Sequence, residues 1–126
     1  MAKKAALTFG VIFVLVGILG FIPNPIVGAH GYFLTDTLHN IVHLLVGIIM
    51  LAMPGSSAAA SLNIFGVIYL LLGIVGIIQG GSGKLLGLVA FNSADNWLHL
   101  VLGVVLLVFG MMGKSKVSSS APSQPM

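Results

Sequence analysis

Four long apolar stretches, separated by proline and glycine, dominate this sequence and restrict how the chain can fold. They cover about residues 5–22, 35–53, 58–78 and 93–112, and each is close to the roughly 20 residues that a helix needs to cross the hydrocarbon core of a bilayer. Proline lacks the backbone donor that a helix interior requires, and glycine is a weak helix former. The pattern therefore predicts an all-α integral membrane protein with four transmembrane helices.

The composition excludes most soluble activities. Hydrophobic residues make up 58% of the 126 residues and charged residues 6%, against about 25% charged in a typical soluble domain. The absence of cysteine excludes disulfides, thiolate metal sites and cysteine nucleophiles. Asp36 and Asp95 are the only acidic residues, so we expect no enzymatic activity and assign no catalytic residue. The basic residues form no patch, so we expect no nucleic-acid partner.

Lysine placement predicts the orientation of the helices. Lys3 and Lys4 precede the first stretch, Lys114 and Lys116 follow the last one, and only Lys84 lies in a connecting loop. In membrane proteins, the cytoplasmic loops and ends carry the excess of lysine and arginine. We therefore expect a multi-pass protein of the cell inner membrane, with both termini in the cytoplasm and the two longer loops facing outward.

One membrane domain is expected over residues 1–112. A flexible cytoplasmic tail, rich in serine and proline, is expected over residues 113–126. Thr35 and Ser93 are predicted as the N-caps of the second and fourth helices, because a hydroxyl can accept a hydrogen bond from a free N–H group of the first turn.

The chain matches itself when it is shifted by 56 positions, which predicts one helical hairpin in residues 1–56 and a second in residues 57–112. The polar residues and glycines carry this match, because apolar sequences match easily by chance. Both hairpins have the same orientation, so the predicted symmetry is a pseudo-two-fold along the membrane normal. The first helix matches the third, and we therefore expect it to be a retained span rather than a signal peptide.

Six of the repeated residues are glycines along one side of the first and third helices. They are Gly10, Gly17 and Gly20, which fall on Gly66, Gly73 and Gly76. Lipid supplies no hydrophobic drive between helices, and small residues allow close backbone approach instead. We predict helix packing at these glycines. A glycine groove that holds a lipid or a pigment is the less favoured interpretation.

The second and fourth helices each carry a polar stripe that starts at the outward end. The stripe residues that we single out are His39, Asn40, His43, Asp95, Asn96 and His99. Spacings of three and four residues place them on one side of each helix, and their cost in lipid predicts that they point into the bundle. If both stripes face the pseudo-two-fold axis, Asn40 meets Asn96, His43 meets His99 and His39 meets Asp95.

Three interpretations of the polar stripe stay open. The first is structural, with hydrogen bonds between helices that contribute roughly 0.6–2 kcal/mol each. The second is a ligand site, in which His39 and His43 share a metal, or His43 and His99 bind a haem and Gly47 and Gly103 leave room for its ring. Because so few ligands are present, we assign no metal ligand and leave the cofactor open. The third is a proton or ion path, but no acidic residue lies deeper.

The stripes also carry a family resemblance. The segments Leu38–Leu44 and Asn92–Leu100, with Gly47 and Gly103, resemble the two signatures of a bacterial four-helix membrane family named domain of unknown function 4383. The resemblance covers about residues 5–112 and supports four spans. The family has no assigned activity, so the resemblance implies no mechanism. It implies only that the six stripe residues match motif positions.

These observations favour a small non-enzymatic membrane protein with a structural or accessory role, as a subunit of a larger membrane complex. The expected partners are the lipid bilayer and other membrane subunits or further copies of the chain. The alternative is a haem-, pigment- or metal-binding module that uses the paired histidines of the second and fourth helices. A channel or transporter ranks last, because four helices packed on glycine leave little lumen.

Overall fold

The structure is a computed structural model that describes the backbone of residues 1–119 and the side chains of residues 1–113. Within these residues the chain forms four helices and two short pairs of strands, joined by turns and irregular segments. The elements are α1 (Ala2–Leu19), β1 (Val27–Gly28), β2 (Phe33–Leu34), α2 (Thr37–Ala52), α3 (Gly55–Ile78), β3 (Gly83–Leu85), β4 (Val89–Phe91) and α4 (Ser93–Ser119). The start of the predicted tail is therefore helical, and its residues 120–126 lie outside the described part of the chain.

Three of the described helices, α1, α3 and α4, are long and apolar enough to cross a membrane. Helix α2 has 16 residues. At about 1.5 Å per residue, it is shorter than the roughly 30 Å hydrocarbon core. It begins after Asp36 and ends before Pro54, which has no backbone N–H to continue a helix. The crossing of the membrane by α2 therefore stays a prediction.

The N-caps of α2 and α4 each lie one residue away from the predicted hydroxyl. Asp36, which follows Thr35, caps α2 and accepts a hydrogen bond from the backbone N–H three residues on, at 2.9 Å. Asn92, which precedes Ser93, accepts the corresponding bond at the start of α4, at 3.1 Å. Asp and Asn cap a helix at least as well as Ser or Thr. Asp36 and Asn92 are therefore the N-caps, in place of the predicted Thr35 and Ser93.

Helix α1 packs mainly against α2, and α3 packs mainly against α4. Contacts of α1 with α3 and α4 join the two pairs. At one end of the bundle, Gly113 lies against Ala2, and the Lys3 ammonium donates to the carbonyl of Met53. We call this the turn end, because it includes the short α2–α3 connection. The two longer connections, α1–α2 and α3–α4, lie at the opposite loop end.

Glycines bring the helices of each pair into backbone contact. A Cβ added at Gly10 would lie 3.0 Å from the carbonyl oxygen of Gly47, and one at Gly66 would lie 3.0 Å from that of Gly103. The other predicted packing glycines also face matching neighbours: Gly17 and Gly20 face Asn40, and Gly73 and Gly76 face Asn96. The contacts of the first helix pair thus recur 56 residues later in the second pair, as seen in the step from Gly10 to Gly66.

The loop-end connections contain short strands that the apolar pattern did not predict. Strands β1 and β2 pair in parallel, and β3 and β4 pair antiparallel. The β3–β4 turn places Leu86 and Gly87 at positive φ, 51° and 75°, a region that glycine occupies freely and leucine rarely. These strands bring the backbone of β2 and β4 close to the first turns of α4 and α2.

Candidate metal site

Three imidazoles converge at the loop end of the bundle. His39 and His43 lie one turn apart on α2, and His99 approaches them from α4. The ring centroids lie 4.5 Å apart for His39 and His43 and 5.8 Å apart for His39 and His99. One nitrogen from each ring lies within 4.8 Å of the other two. The three side chains are buried, with exposed fractions of 4%, 6% and 4%.

The backbone of Ala90 in β4 orients the first of these rings. His39 Nδ1 lies 2.7 Å from the carbonyl oxygen of Ala90. A carbonyl can only accept, so Nδ1 carries the hydrogen and the Nε2 lone pair of the neutral ring is free to bind a metal. The N–H of Ala90 donates to Asp36 Oδ2 at 3.0 Å. The α3–α4 connection therefore holds α2 and fixes the tautomer of His39.

The other two rings have a different environment. Nδ1 of His43 and Nδ1 of His99 have no hydrogen-bond partner among the described residues. A buried polar atom without a partner costs about 1–3 kcal/mol. Phe13 packs on His43 at 5.8 Å and Tyr69 on His99 at 5.3 Å, measured between ring centroids. The two imidazoles thus sit against aromatic rings instead of hydrogen-bonding groups.

This donor set suits a transition metal ion. Neutral imidazole is a ligand for zinc, copper, iron and nickel. Three protein ligands with an open fourth position are the arrangement found in zinc sites that bind a further ligand. The cluster contains no fourth histidine or acidic ligand from residues 1–113. None of the described hydrogen bonds joins these imidazoles to an asparagine or aspartate side chain, so the expected hydrogen bonds between helices are not made at the rings.

The two asparagines of the stripe lie elsewhere. The side chain of Asn40 lies against Gly20 of α1, and that of Asn96 lies against Gly76 of α3. Asn96 Nδ2 also donates to the carbonyl of Gly81 at 3.0 Å. The expected contact of Asn40 with Asn96 is replaced by contacts inside each helix pair. Asn40 follows His39 by one residue, which is about 100° around α2, so Asn40 points toward α1 while His39 points into the histidine cluster.

Asp95 also differs from the expected pairing with His39. It forms a reciprocal cap with Asn92, because Asp95 Oδ2 accepts from the Asn92 N–H at 2.9 Å while the Asn92 side chain accepts from the Asp95 N–H. Helix α4 also contacts β2. Asp95 therefore stabilises the start of α4, and it is not a member of the histidine cluster.

The space expected for a haem ring is filled by helix backbone. A Cβ added at Gly47 would lie 2.8 Å from the carbonyl oxygen of Gly10, and one at Gly103 would lie 2.6 Å from the backbone nitrogen of Leu70. These glycines admit the neighbouring helices α1 and α3. The geometry therefore favours a small ion over a flat macrocycle.

A cavity of about 270 Å³ adjoins the cluster between α1, α4 and the α1–α2 connection. His43, His99, Thr35 and Asp95 supply its polar wall, and the other lining residues are apolar. Thr35 is 2% exposed, and its hydroxyl has no hydrogen-bond partner in residues 1–113. The sequence suggested Thr35 only as a cap, although it differs from its 56-residue counterpart Phe91 in size and polarity.

A charged contact lies just outside the site, where Lys84 Nζ is 3.5 Å from Asp36 Oδ2. Burial raises the pKa of Asp36. The N–H groups of His39 and Ala90 and the positive charge of Lys84 outweigh this effect and hold the pKa below the usual 3.8. The cap of α2 is therefore ionised at neutral pH.

Three described helices that are long and apolar enough to cross a membrane indicate a membrane protein of the helical class. The chain belongs to the family that shares the domain of unknown function DUF4383, whose model matches residues 3–112. This match confirms the resemblance noted in the two polar motifs, and the matched range includes all three clustered histidines. No curated protein and no solved structure matches the chain.

Proposed function

We propose that this protein is a membrane protein that binds a divalent transition metal ion at His39, His43 and His99. The observation that carries the proposal is the convergence of three buried imidazoles from two helices, each offering a nitrogen within 4.8 Å of the others. Three desolvated rings in one place are costly unless something binds their lone pairs. A metal ion would satisfy them and join α2 to α4.

Zinc is the ion that the donors suit best. Zinc accepts neutral imidazole nitrogens in a tetrahedral arrangement and shows no preference from d electrons. The Ala90 carbonyl on His39 Nδ1 is the type of outer contact that orients metal-binding histidines. With three protein ligands, the fourth position stays available for a further molecule.

In the membrane, we propose four spans with both termini in the cytoplasm of a bacterial cell. The turn end would then face the cytoplasm, which is supported by Lys3 and Lys4 at the start of α1. The short helix α2, Thr37–Ala52, would cross where the bilayer is locally thinned. This arrangement places the metal site within the outward half of the bilayer.

We further propose two tandem hairpins related by a pseudo-two-fold axis, and a role in binding rather than turnover. The recurrence of the glycine contacts after 56 residues, as in Gly10 and Gly66, supports the hairpins. The connections are too short to form a catalytic domain. An accessory role within a larger membrane complex, or self-association, fits such a binding module.

The test is metal analysis of protein that is purified through a histidine-free affinity tag and loaded with zinc. We expect about one zinc per chain, and a tetrahedral visible spectrum when cobalt replaces zinc. His43→Ala and His99→Ala should each abolish stoichiometric binding. His30→Ala is the matched control, because His30 is exposed and outside the cluster.

Two results would contradict the proposal. One is wild-type protein that stays metal-free at micromolar zinc, which would favour a purely structural cluster. The other is an equal loss of metal in the His30→Ala variant, which would place the binding outside the three-histidine cluster.

A further inference from the structure

The cavity beside the histidine cluster has a shape and chemistry of its own. Its volume of about 270 Å³ is nearly twice the roughly 150 Å³ of an apolar cavity that binds one benzene molecule. It is therefore large enough for one ring with several attached carbon atoms. Its polar lining residues are Thr35, Asp95 and the two imidazoles, and the other lining residues are apolar.

The Thr35 hydroxyl indicates the polar group that the cavity would accept. It is almost fully buried, lines the cavity and has no hydrogen-bond partner among residues 1–113. A hydroxyl can donate to a carbonyl oxygen. Asp95 also lines the cavity, and no lysine or arginine among the described lining residues could balance an anionic group. These two features favour an uncharged ligand with an accepting oxygen.

The walls favour a planar ring at the polar end. Phe13 and Phe33 line the cavity together with the imidazoles of His43 and His99. Aromatic rings pack favourably against other planar rings in stacked or edge-on geometry. A bare aliphatic chain would gain less from this set of walls.

The mouth of the cavity faces the surface that lipid would cover. Ile12 on α1, Ile26 in the α1–α2 connection and Leu98 on α4 line the cavity and are also exposed. An apolar tail longer than the cavity could therefore leave between α1 and α4 into the bilayer without meeting a polar group.

We propose that this cavity binds a lipid-soluble, uncharged carbonyl compound with one ring and an apolar tail, the chemistry of a substituted benzoquinone. The Thr35 hydroxyl donates to its carbonyl oxygen, and the ring packs between Phe13 and Phe33. The proposal rests on the proposed metal site in one respect, since an ion at His43 and His99 adds positive charge beside the electron-rich oxygen.

The sequence itself supplies a blocking variant. After 56 residues, Val16 and Thr35 of the cavity wall are replaced by Leu72 and Phe91, and Phe91 is buried. The double variant Val16→Leu/Thr35→Phe therefore introduces side chains that the second half of the chain already accommodates. Thr35→Val is a milder variant that removes the hydroxyl and keeps the shape.

The experiment measures binding of a decyl-substituted benzoquinone to the full chain in lipid nanodiscs after zinc loading. Bound quinone per chain is counted after free quinone is washed out. We expect one molecule per wild-type chain and none retained by Val16→Leu/Thr35→Phe. Thr35→Val should bind about 5–10-fold more weakly, since it lacks one hydrogen bond. Decylbenzene, which has no carbonyl, should bind wild-type protein about 10-fold more weakly than the quinone.

The cobalt spectrum of each variant separates this proposal from the metal proposal. A normal spectrum with equal quinone retention in wild-type and blocked protein would overturn the cavity proposal and leave the metal site intact. Equal binding of decylbenzene and the quinone would overturn the role of the carbonyl. Absence of the tetrahedral cobalt spectrum from wild-type protein would instead overturn the proposed metal site. If the double variant does not fold, undiminished quinone binding by Thr35→Val overturns the cavity proposal.

Discussion

In the first half of the chain α2 carries two histidines, His39 and His43, whereas α4 in the second half carries Asp95 and His99 at the equivalent positions. The helix contacts around them are alike, because glycines 56 residues apart meet carbonyl oxygens that are also 56 residues apart. The side chains are not alike. His39 joins the histidine cluster, while Asp95 caps its own helix.

The cavity shows the same contrast. Thr35 and Val16 border it in the first half, and the bulkier Phe91 and Leu72 occupy the corresponding positions in the second. Backbone contact through glycine tolerates little change, since even one methyl group would overlap the next helix. Side chains away from those glycine contacts could differ between the two helix pairs. The α1–α2 and α3–α4 pairs therefore share similar backbone contacts but form a single histidine cluster between them.

The largest expected effect is on metal affinity, and it tests whether the two equivalent positions differ in role. We expect His39→Ala to lower zinc affinity by more than about 100-fold, because a ligand is lost and not merely an outer contact. Asp95→Asn should change zinc affinity by less than about 3-fold, since Asn also caps helices. Competition with a calibrated chelator measures both. Equal losses of zinc affinity in the two variants would show that His39 and Asp95 have the same role at the site.

The next largest effect is on stability, and it tests whether the α1–α2 and α3–α4 helix pairs pack equally tightly. Gly47→Ala and Gly103→Ala should each lower the free energy of unfolding by about 1–3 kcal/mol, because the added methyl group meets helix backbone. Gly55→Ala is the control, since a Cβ there has no neighbour within 4 Å. Unfolding of the detergent-solubilised protein measures the effect. A large difference between the first two variants would show that one helix pair can relax and the other cannot.

A smaller effect is expected at the two asparagines. Asn96 donates to the carbonyl of Gly81, whereas Asn40 makes no such bond in the described residues. Asn96→Ala should therefore destabilise the protein by about 1 kcal/mol more than Asn40→Ala. The same unfolding measurement compares them. If Asn40→Ala is the more harmful change, the amide of Asn40 has a role that its contacts with α1 do not reveal.

The smallest effect concerns pH. The first-half cap is the ionisable Asp36, and its second-half counterpart is the neutral Asn92. Because the folded state lowers the pKa of Asp36, its contribution to stability is complete above the usual value of 3.8 and is lost as the pH falls through the folded value. We expect a loss below about 1 kcal/mol. Asp36→Asn should remove this part of the pH dependence in unfolding experiments between pH 2 and 6, whereas an unchanged profile would assign it to another group.

Much of the architecture could be predicted from local patterns. Runs of apolar residues define the helices, and Pro54 and the glycines interrupt them in the sequence itself. The packing role suggested for Gly10 and Gly66 agrees with their close contacts to the next helix, since a small residue permits such contact in any arrangement. The family also followed from the two polar motifs.

The sequence alone therefore determined the helical class, the family and the polar residues that occupy the loop end. Only the tertiary structure decided which of them meet. The contact of His39 with the carbonyl of Ala90 joins residues 51 positions apart, and the cavity at Thr35 depends on the rotation of α1 against α4. A periodic pattern gives the direction of a side chain around its own helix. The depth and rotation of one helix against another depend on the packing of the whole bundle.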